Sequence, residues 1–230
     1  MTLYGIELTV AADAEEVASV VADELVAVAS SGGSVVLTGG GTPARAYELA
    51  AEREPDWSAA SVWWGDERCV PADDEWSNFR LAREHLLDRL QAPPREVQRI
   101  RGELGAGEAA SEYDGLLRDV RLDFVLLGIG PDAHAASLFP DQPTLDERER
   151  RAVPAESKLE PFVDRVTLTV PTLSAAPAVV FIVTGDDKAE AVERAFGRPP
   201  SPAAPASLIR STGGRTRAIV DPAAAARLSR

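Results

Sequence analysis

The 230-residue chain is 45% hydrophobic and 27% charged, a balance that can bury a sizeable core and leads to the expectation of one α/β domain over residues 1–230. Its 37 Asp and Glu residues outnumber 24 Lys and Arg, for a formal net charge of -13, which disfavours nucleic acid and anionic membranes as partners. One cysteine, Cys69, leaves no intrachain disulfide and no cysteine-built zinc cage to consider.

The opening MTLYGIEL lacks the basic flank and long apolar core of a secretory signal, and no apolar run nears the ~20 residues that span a bilayer. A cytoplasmic location is expected. Residues 13–29 carry Val17, Val20, Val21, Leu25 and Val28 at helical spacing, with Asp13 and Glu16 set as a capping pair. They read as an amphipathic first helix. After a Ser-Gly turn, the apolar run Val35-Val36-Leu37 ends in a glycine cluster, and Thr42-Pro43 opens a helix over 44–51. Further strands are expected at 61–64, 97–100, 124–127, 166–170, 179–184 and 217–220, with helices between several of them, one capped within 77–79 and running to Leu90. The Pro-rich stretch 197–205 reads as a surface loop or flap, and 223–226 as part of a C-terminal helix. Such alternation, with strands apolar on both faces, predicts a three-layer α/β/α fold around a mostly parallel central sheet, whose ligands collect beyond the strand C-termini.

Three motifs fall at such strand ends. The first is Leu37-Thr38-Gly39-Gly40-Gly41-Thr42-Pro43: consecutive glycines let backbone N–H groups approach an anion, with Thr42 able to cap the following helix and Pro43 suited to its first turn. Taken alone, the cluster has an equal claim to be a tight turn needing positive φ. It matches neither the dinucleotide nor the P-loop fingerprint. The second is Trp63-Trp64-Gly65-Asp66-Glu67-Arg68, where Arg68 could grip a phosphate and Asp66 orient a hydroxyl or a catalytic group. On its own this hexapeptide reads more readily as a solvated loop. The third is a buried strand that empties into Gly128-Ile129-Gly130-Pro131-Asp132-Ala133-His134. An imidazole titrates near neutral pH and suits general-base work, and a carboxylate two residues away can fix its tautomer. The other histidine, His85, reads as a partly exposed helix residue. An anionic substrate is compatible with the acidic chain, because screening over roughly 8 Å lets a few local cations outweigh distant carboxylates.

Together and in this order the motifs resemble those of the 6-phosphogluconolactonase family, which is related to the glucosamine-6-phosphate deaminases. The likeness continues through Arg165-Val166-Thr167-Leu168-Thr169, similar to that family's Pro-Arg-(Ile/Val)-Thr-Leu-Thr, and through Gly185-Asp186-Asp187-Lys188-Ala189, similar to its Gly-x-x-Lys-Ala; it spans about 35–221. The resemblance implies a fold of the sugar-phosphate isomerase type and hydrolysis of 6-phospho-D-glucono-1,5-lactone in the pentose phosphate pathway, with neither metal nor organic cofactor. It makes His134 the general base with Asp132 beside it, and has Asp66 organise the site. It assigns Gly39, Gly40, Gly41, Thr42, Arg68, Arg165 and Lys188 to phosphate or sugar oxygens. The implied partner is a small sugar phosphate, with no nucleic acid and no membrane, the protein being a monomer or homodimer. Cys69 is then a bystander.

This chain departs from the family pattern at Ala133, where glycine is usual, at Ala135, where threonine is usual, and at Asp164, where proline is usual. If the missing glycine served a left-handed conformation, Ala133 carries strain of roughly 1–2 kcal/mol. The deaminases share the glycine loop and the Asp-x-His pair but follow it with Phe-Asn-Glu-Pro; Ser137-Leu138-Phe139-Pro140 lacks that glutamate. The remaining readings are a sugar-phosphate-sensing module of a regulator, which would need a basic DNA-binding helix pair, and a non-catalytic sugar-phosphate binder.

Overall fold

The computed structural model describes residues 2–228. A short hairpin, β1 (Thr2–Leu3) and β2 (Ile6–Val10), leads into α1 (Ala14–Ser30). The Asp13 carboxylate accepts from Glu16 N–H at 2.9 Å and Glu16 reaches back to Ala12 N–H at 2.5 Å, so the capping pair operates as expected. Then follow β3 (Ser34–Leu37), α2 (Gly41–Arg53), β4 (Ser61–Trp64), β5 (Asp66–Arg68), α3 (Asn78–His85), β6 (Glu96–Gln98), α4 (Ala106–Leu117) and β7 (Phe124–Leu127). The remainder comprises β8 (Ala152–Ala155), β9 (Arg165–Leu168), α5 (Val170–Ser174), β10 (Ala178–Val183), α6 (Ala189–Phe196) and β11 (Arg215–Val220).

Eight strands form one sheet in the order β1-β2-β11-β10-β7-β3-β4-β6, parallel throughout except for β1 against β2. Every residue of β4 and β7 is buried, as helix-covered parallel strands require. The mostly parallel α/β architecture expected from the alternation is present. Because β3, β4, β7 and β10 run the same way, their C-terminal ends deliver the three motifs and the 184–188 turn to one edge of the sheet.

Two buried tyrosines hold the strand ends at this edge. Tyr47 on α2 donates to Thr38 O at 2.7 Å and accepts from Thr38 N at 2.9 Å. Tyr113 on α4 donates to Trp64 O at 3.1 Å and accepts from Trp64 N at 2.9 Å. Each hydroxyl substitutes for a ladder partner where the sheet stops, so that neither backbone group is orphaned.

Several expectations need correction. Residues 66–68 are a strand, not a loop: β5 pairs antiparallel with β9, and β9 with β8, in a second three-stranded sheet. The segment expected at 166–170 therefore lies outside the main sheet, and its last residue begins α5. The strand at 97–100 is shifted to 96–98. The helix expected to reach Leu90 ends at His85 and continues as a 3-10 turn, Leu87–Arg89. Residues 223–226 form turns instead of a helix, and the Asp221 carboxylate takes both Ala224 N–H and Gly185 N–H and ties the segment to the β10 turn. In the Pro-rich stretch, Ala204 and Pro205 are buried, and Ala206 just beyond it donates to Ala133 O at 3.0 Å, so its end underpins the His134 loop.

Candidate active site

At the end of β3, Gly40 is the helix N-cap with φ 113 and ψ 160, a region open to glycine alone. Thr42 does not cap α2; its hydroxyl pairs with that of Thr184 at 2.8 Å. The first turn of α2 carries no acidic side chain, so its free N–H groups and the positive end of the helix dipole face the cavity unneutralised. Gly39 is required by packing: a Cβ there would stand 1.9 Å from Asn78 Oδ1.

At the end of β4, Asp66 is 4% exposed. Its Oδ1 accepts from Asn78 Nδ2 at 3.1 Å and its Oδ2 from Ser137 Oγ at 2.7 Å. The adjacent Glu67 is equally buried and caps α3, accepting from Asn78 N, Phe79 N, Arg68 N and Ser77 Oγ at 2.7–3.0 Å. Burial pushes the Glu67 carboxyl up, against the pull of those backbone donors. Glu67 is thus a structural strut, without the local pairing to Arg68 that a solvated loop would show.

Arg68 and Arg165 stand directly opposite each other in the β5–β9 register. Like charges so placed repel. Each gives one N–H to a backbone carbonyl, Arg68 to Trp76 O at 2.5 Å and Arg165 to Pro161 O at 3.3 Å. The Nε of both is buried with no acceptor, and among the described residues no carboxylate forms an ion pair with either. Arg165 is 4% exposed, its guanidinium lies 5.7 Å from the Phe139 ring centroid, and burial pulls its pKa down despite Asp66 nearby. Two facing, partly desolvated cations with spare donors form a seat for an anion or a developing oxyanion.

At the end of β7, His134 Nδ1 lies 2.5 Å from Asp132 Oδ1, which also accepts from His134 N at 3.1 Å. An ionised carboxylate only accepts, so Nδ1 carries the proton and Nε2 is left with a free lone pair. Burial tends to raise the Asp132 carboxyl, but the bond from His134 holds it below the ordinary carboxylate range. Phe139 flanks the imidazole with centroids 4.7 Å apart. Ala133 has φ 67 and Ala136 φ 52: the position where glycine is usual is indeed left-handed, and this chain holds it with a buried alanine.

These groups meet in a cavity of about 220 Å3 lined by Gly39, Gly40, Asp66, Arg68, His134 and Arg165, together with Asn78 and Gly130. A second cavity of about 200 Å3 shares Gly39 and Gly40 and is completed by Gly41, Thr42 and Lys188. All ten of the singled-out residues therefore converge: nine line one or both cavities, and Asp132 supports His134 from behind. The remaining candidates do not join them. His85 pairs with Glu48 at 3.0 Å, and burial pushes the Cys69 thiol up to about 11, which makes it a poor nucleophile near neutral pH. Asn78 was absent from the motifs, and Gly130 and Ser137 stood in or just after the third motif without a role. The only signal for Asn78 was its place behind a helix-capping serine.

The chain is similar over most of its length to known proteins. The chain is 39% identical over 210 residues to human 6-phosphogluconolactonase, covering 86% of this chain and 79% of that one. It is 35% identical to 6-phosphogluconolactonase of Streptomyces coelicolor over 97% and 95% of the two chains. The crystal structure of 6-phosphogluconolactonase from Leishmania guyanensis superposes with a TM-score of 0.86 at 26% identity, over 98% and 99% of the chains. A family model described as Glucosamine-6-phosphate isomerases/6-phosphogluconolactonase matches residues 9–218, and the chain belongs to that family.

Proposed function

We propose that the protein hydrolyses 6-phospho-D-glucono-1,5-lactone to 6-phosphogluconate, the lactonase step of the oxidative pentose phosphate pathway. The observation that carries this reading is the placement of a tautomer-fixed imidazole in one cavity with two facing arginines that no carboxylate among the described residues pairs with. The phosphate sits at the N-terminus of α2 against Gly40, Gly41, Thr42 and Lys188, which puts the lactone carbonyl beside His134.

His134 Nε2 takes a proton from water while the water oxygen bonds to C1. The carbonyl oxygen becomes an oxyanion, stabilised by Arg68 and Arg165. The tetrahedral intermediate collapses by breaking the bond from C1 to the ring oxygen. The imidazolium returns its proton to that oxygen, and the new carboxylic acid loses its proton to solvent. Asp132 steadies the imidazolium, and Asp66 orders the arginine side of the site. A lactone carbonyl is more reactive than an amide, so one positioned base and a cation suffice without a covalent nucleophile.

The chain works as a single cytoplasmic α/β domain, monomeric or homodimeric, on a small sugar phosphate. No described helix is long and apolar enough to cross a membrane. A deaminase reading is disfavoured at the positions after His134: Ser137 is committed to Asp66 and Phe139 packs on the imidazole, leaving no carboxylate there for ring opening. The test is hydrolysis of freshly generated lactone followed by coupled dehydrogenase absorbance, with EDTA present. Wild type exceeds the spontaneous rate and His134→Ala abolishes the excess; a folded wild type with no acceleration overturns the reading.

A further inference from the structure

Asn78 belongs to no motif that pointed to the site, yet it touches both halves of it. It is 2% exposed and opens α3. Its Nδ2 donates to Asp66 O at 2.9 Å and to Asp66 Oδ1 at 3.1 Å. Both partners are acceptors, which settles the amide orientation and turns Oδ1 towards Gly39, whose Cβ position it fills at 1.9 Å. Its backbone N–H is held by Glu67 at 2.8 Å, which fixes the Cα from which the amide projects.

We infer that Asn78 is a positioning residue: it orients the Asp66 carboxylate with its amide N–H and locks the glycine loop against that carboxylate with its carbonyl oxygen. One side chain thereby sets the distance between the anion-binding helix start and the arginine and imidazole side of the cavity. The inference rests on the lactonase reading for its kinetic consequence but not for its contact.

Asn78→Asp keeps the volume and replaces the N–H donor with a carboxyl about 3 Å from Asp66, and two such carboxylates cannot both ionise cheaply. The charged and titratable groups around the pair are Glu67, Arg68, Arg165, Tyr47 and His134, and all are unchanged in the variant. When the pair holds one proton, the introduced carboxyl can still donate to Asp66 and mimic asparagine. When that proton leaves, it cannot. The ratio of wild-type to Asn78→Asp kcat is therefore expected to rise about tenfold as pH is raised above the ordinary carboxylate range, whereas Asn78→Ala is slowed throughout. A pH-independent ratio, or Asn78→Ala with wild-type kcat and KM, overturns the inference.

Thermal melting provides a readout that does not need catalysis. A proton bound above the ordinary carboxylate range of about 4 stabilises the variant at low pH and is lost as pH rises, so the melting gap to wild type widens upward from about pH 4. The double exchange Asp66→Asn with Asn78→Asp restores a donor facing an acceptor between the two side chains and narrows the widening, leaving only the main-chain Asp66 O without its donor. A flat gap in the single variant refutes the contact. A wild type without lactonase activity refutes the functional reading alone, and the melting series then decides the case for Asn78.

Discussion

A methyl group added at Gly130 would stand 1.9 Å from His134 Cε1, 2.1 Å from Nδ1 and 2.7 Å from Nε2. Carbon atoms rest no closer than roughly 3.5 Å, so the imidazole of a Gly130→Ala variant must retreat by about 1.5 Å. Asp132 grips Nδ1 at 2.5 Å and Phe139 backs the ring at 4.7 Å, so the retreat is into the cavity and breaks the Asp132 contact. Gly130 is not among the residues with positive φ, so alanine meets no backbone penalty and the conflict falls on the ring. A misplacement of this size costs about 100-fold in rate. The expected result is a kcat reduced by about two orders of magnitude in a folded protein, destabilised by about 1–3 kcal/mol through overpacking. The assay is coupled lactone hydrolysis alongside urea denaturation. A folded variant with wild-type kcat would refute the claim that His134 acts from the position it holds above Gly130.

Ala133→Gly relieves about 1–2 kcal/mol of left-handed strain at φ 67 but loosens the unfolded chain by about 0.5–1 kcal/mol and removes a buried methyl worth about 0.8 kcal/mol. Denaturation is thus expected to show stability within about 1 kcal/mol of wild type, with kcat unchanged. Tyr47→Phe strips Thr38 of both hydrogen bonds and is expected to cost about 1–3 kcal/mol in urea denaturation. Asp132→Asn leaves the histidine tautomer unspecified and should lower kcat about 100-fold. Because the Asp132 carboxyl is held below its ordinary range, its contribution to stability is complete above about pH 4 and is lost as pH falls through the folded value. The melting gap between wild type and Asp132→Asn should therefore shrink below that pH.

The strand ends were legible because a parallel, doubly covered strand must be apolar along its whole length, as 35–37, 61–64 and 124–127 nearly are, and glycine or charge then marks where it leaves the core. The left-handed conformation at position 133 was also readable, since a backbone demand is the simplest reason for a usual glycine there. Residues 66–68 were not legible as a strand. Three polar residues pair antiparallel only because β9, about a hundred positions later, lies alongside, and no local periodicity encodes such a partner. β8 was missed for the same reason, since its partner is β9, whereas β1 and β2 form a local hairpin and the apolar/polar alternation of β2 was present in the sequence.

The sequence pattern by itself determined the fold class and the edge of the sheet where ligands gather, because each of the three motifs follows a strand whose direction the alternation dictates, whereas Arg165 and Lys188 joined the site residues only through the family resemblance. Only the tertiary structure decided what those residues do to one another. That Arg68 faces Arg165, that Gly130 must be bare beneath His134, and that Asn78 couples Asp66 to Gly39 are consequences of chain segments meeting in space. Distances between side chains far apart in sequence are set by packing and register, which a one-dimensional pattern does not carry.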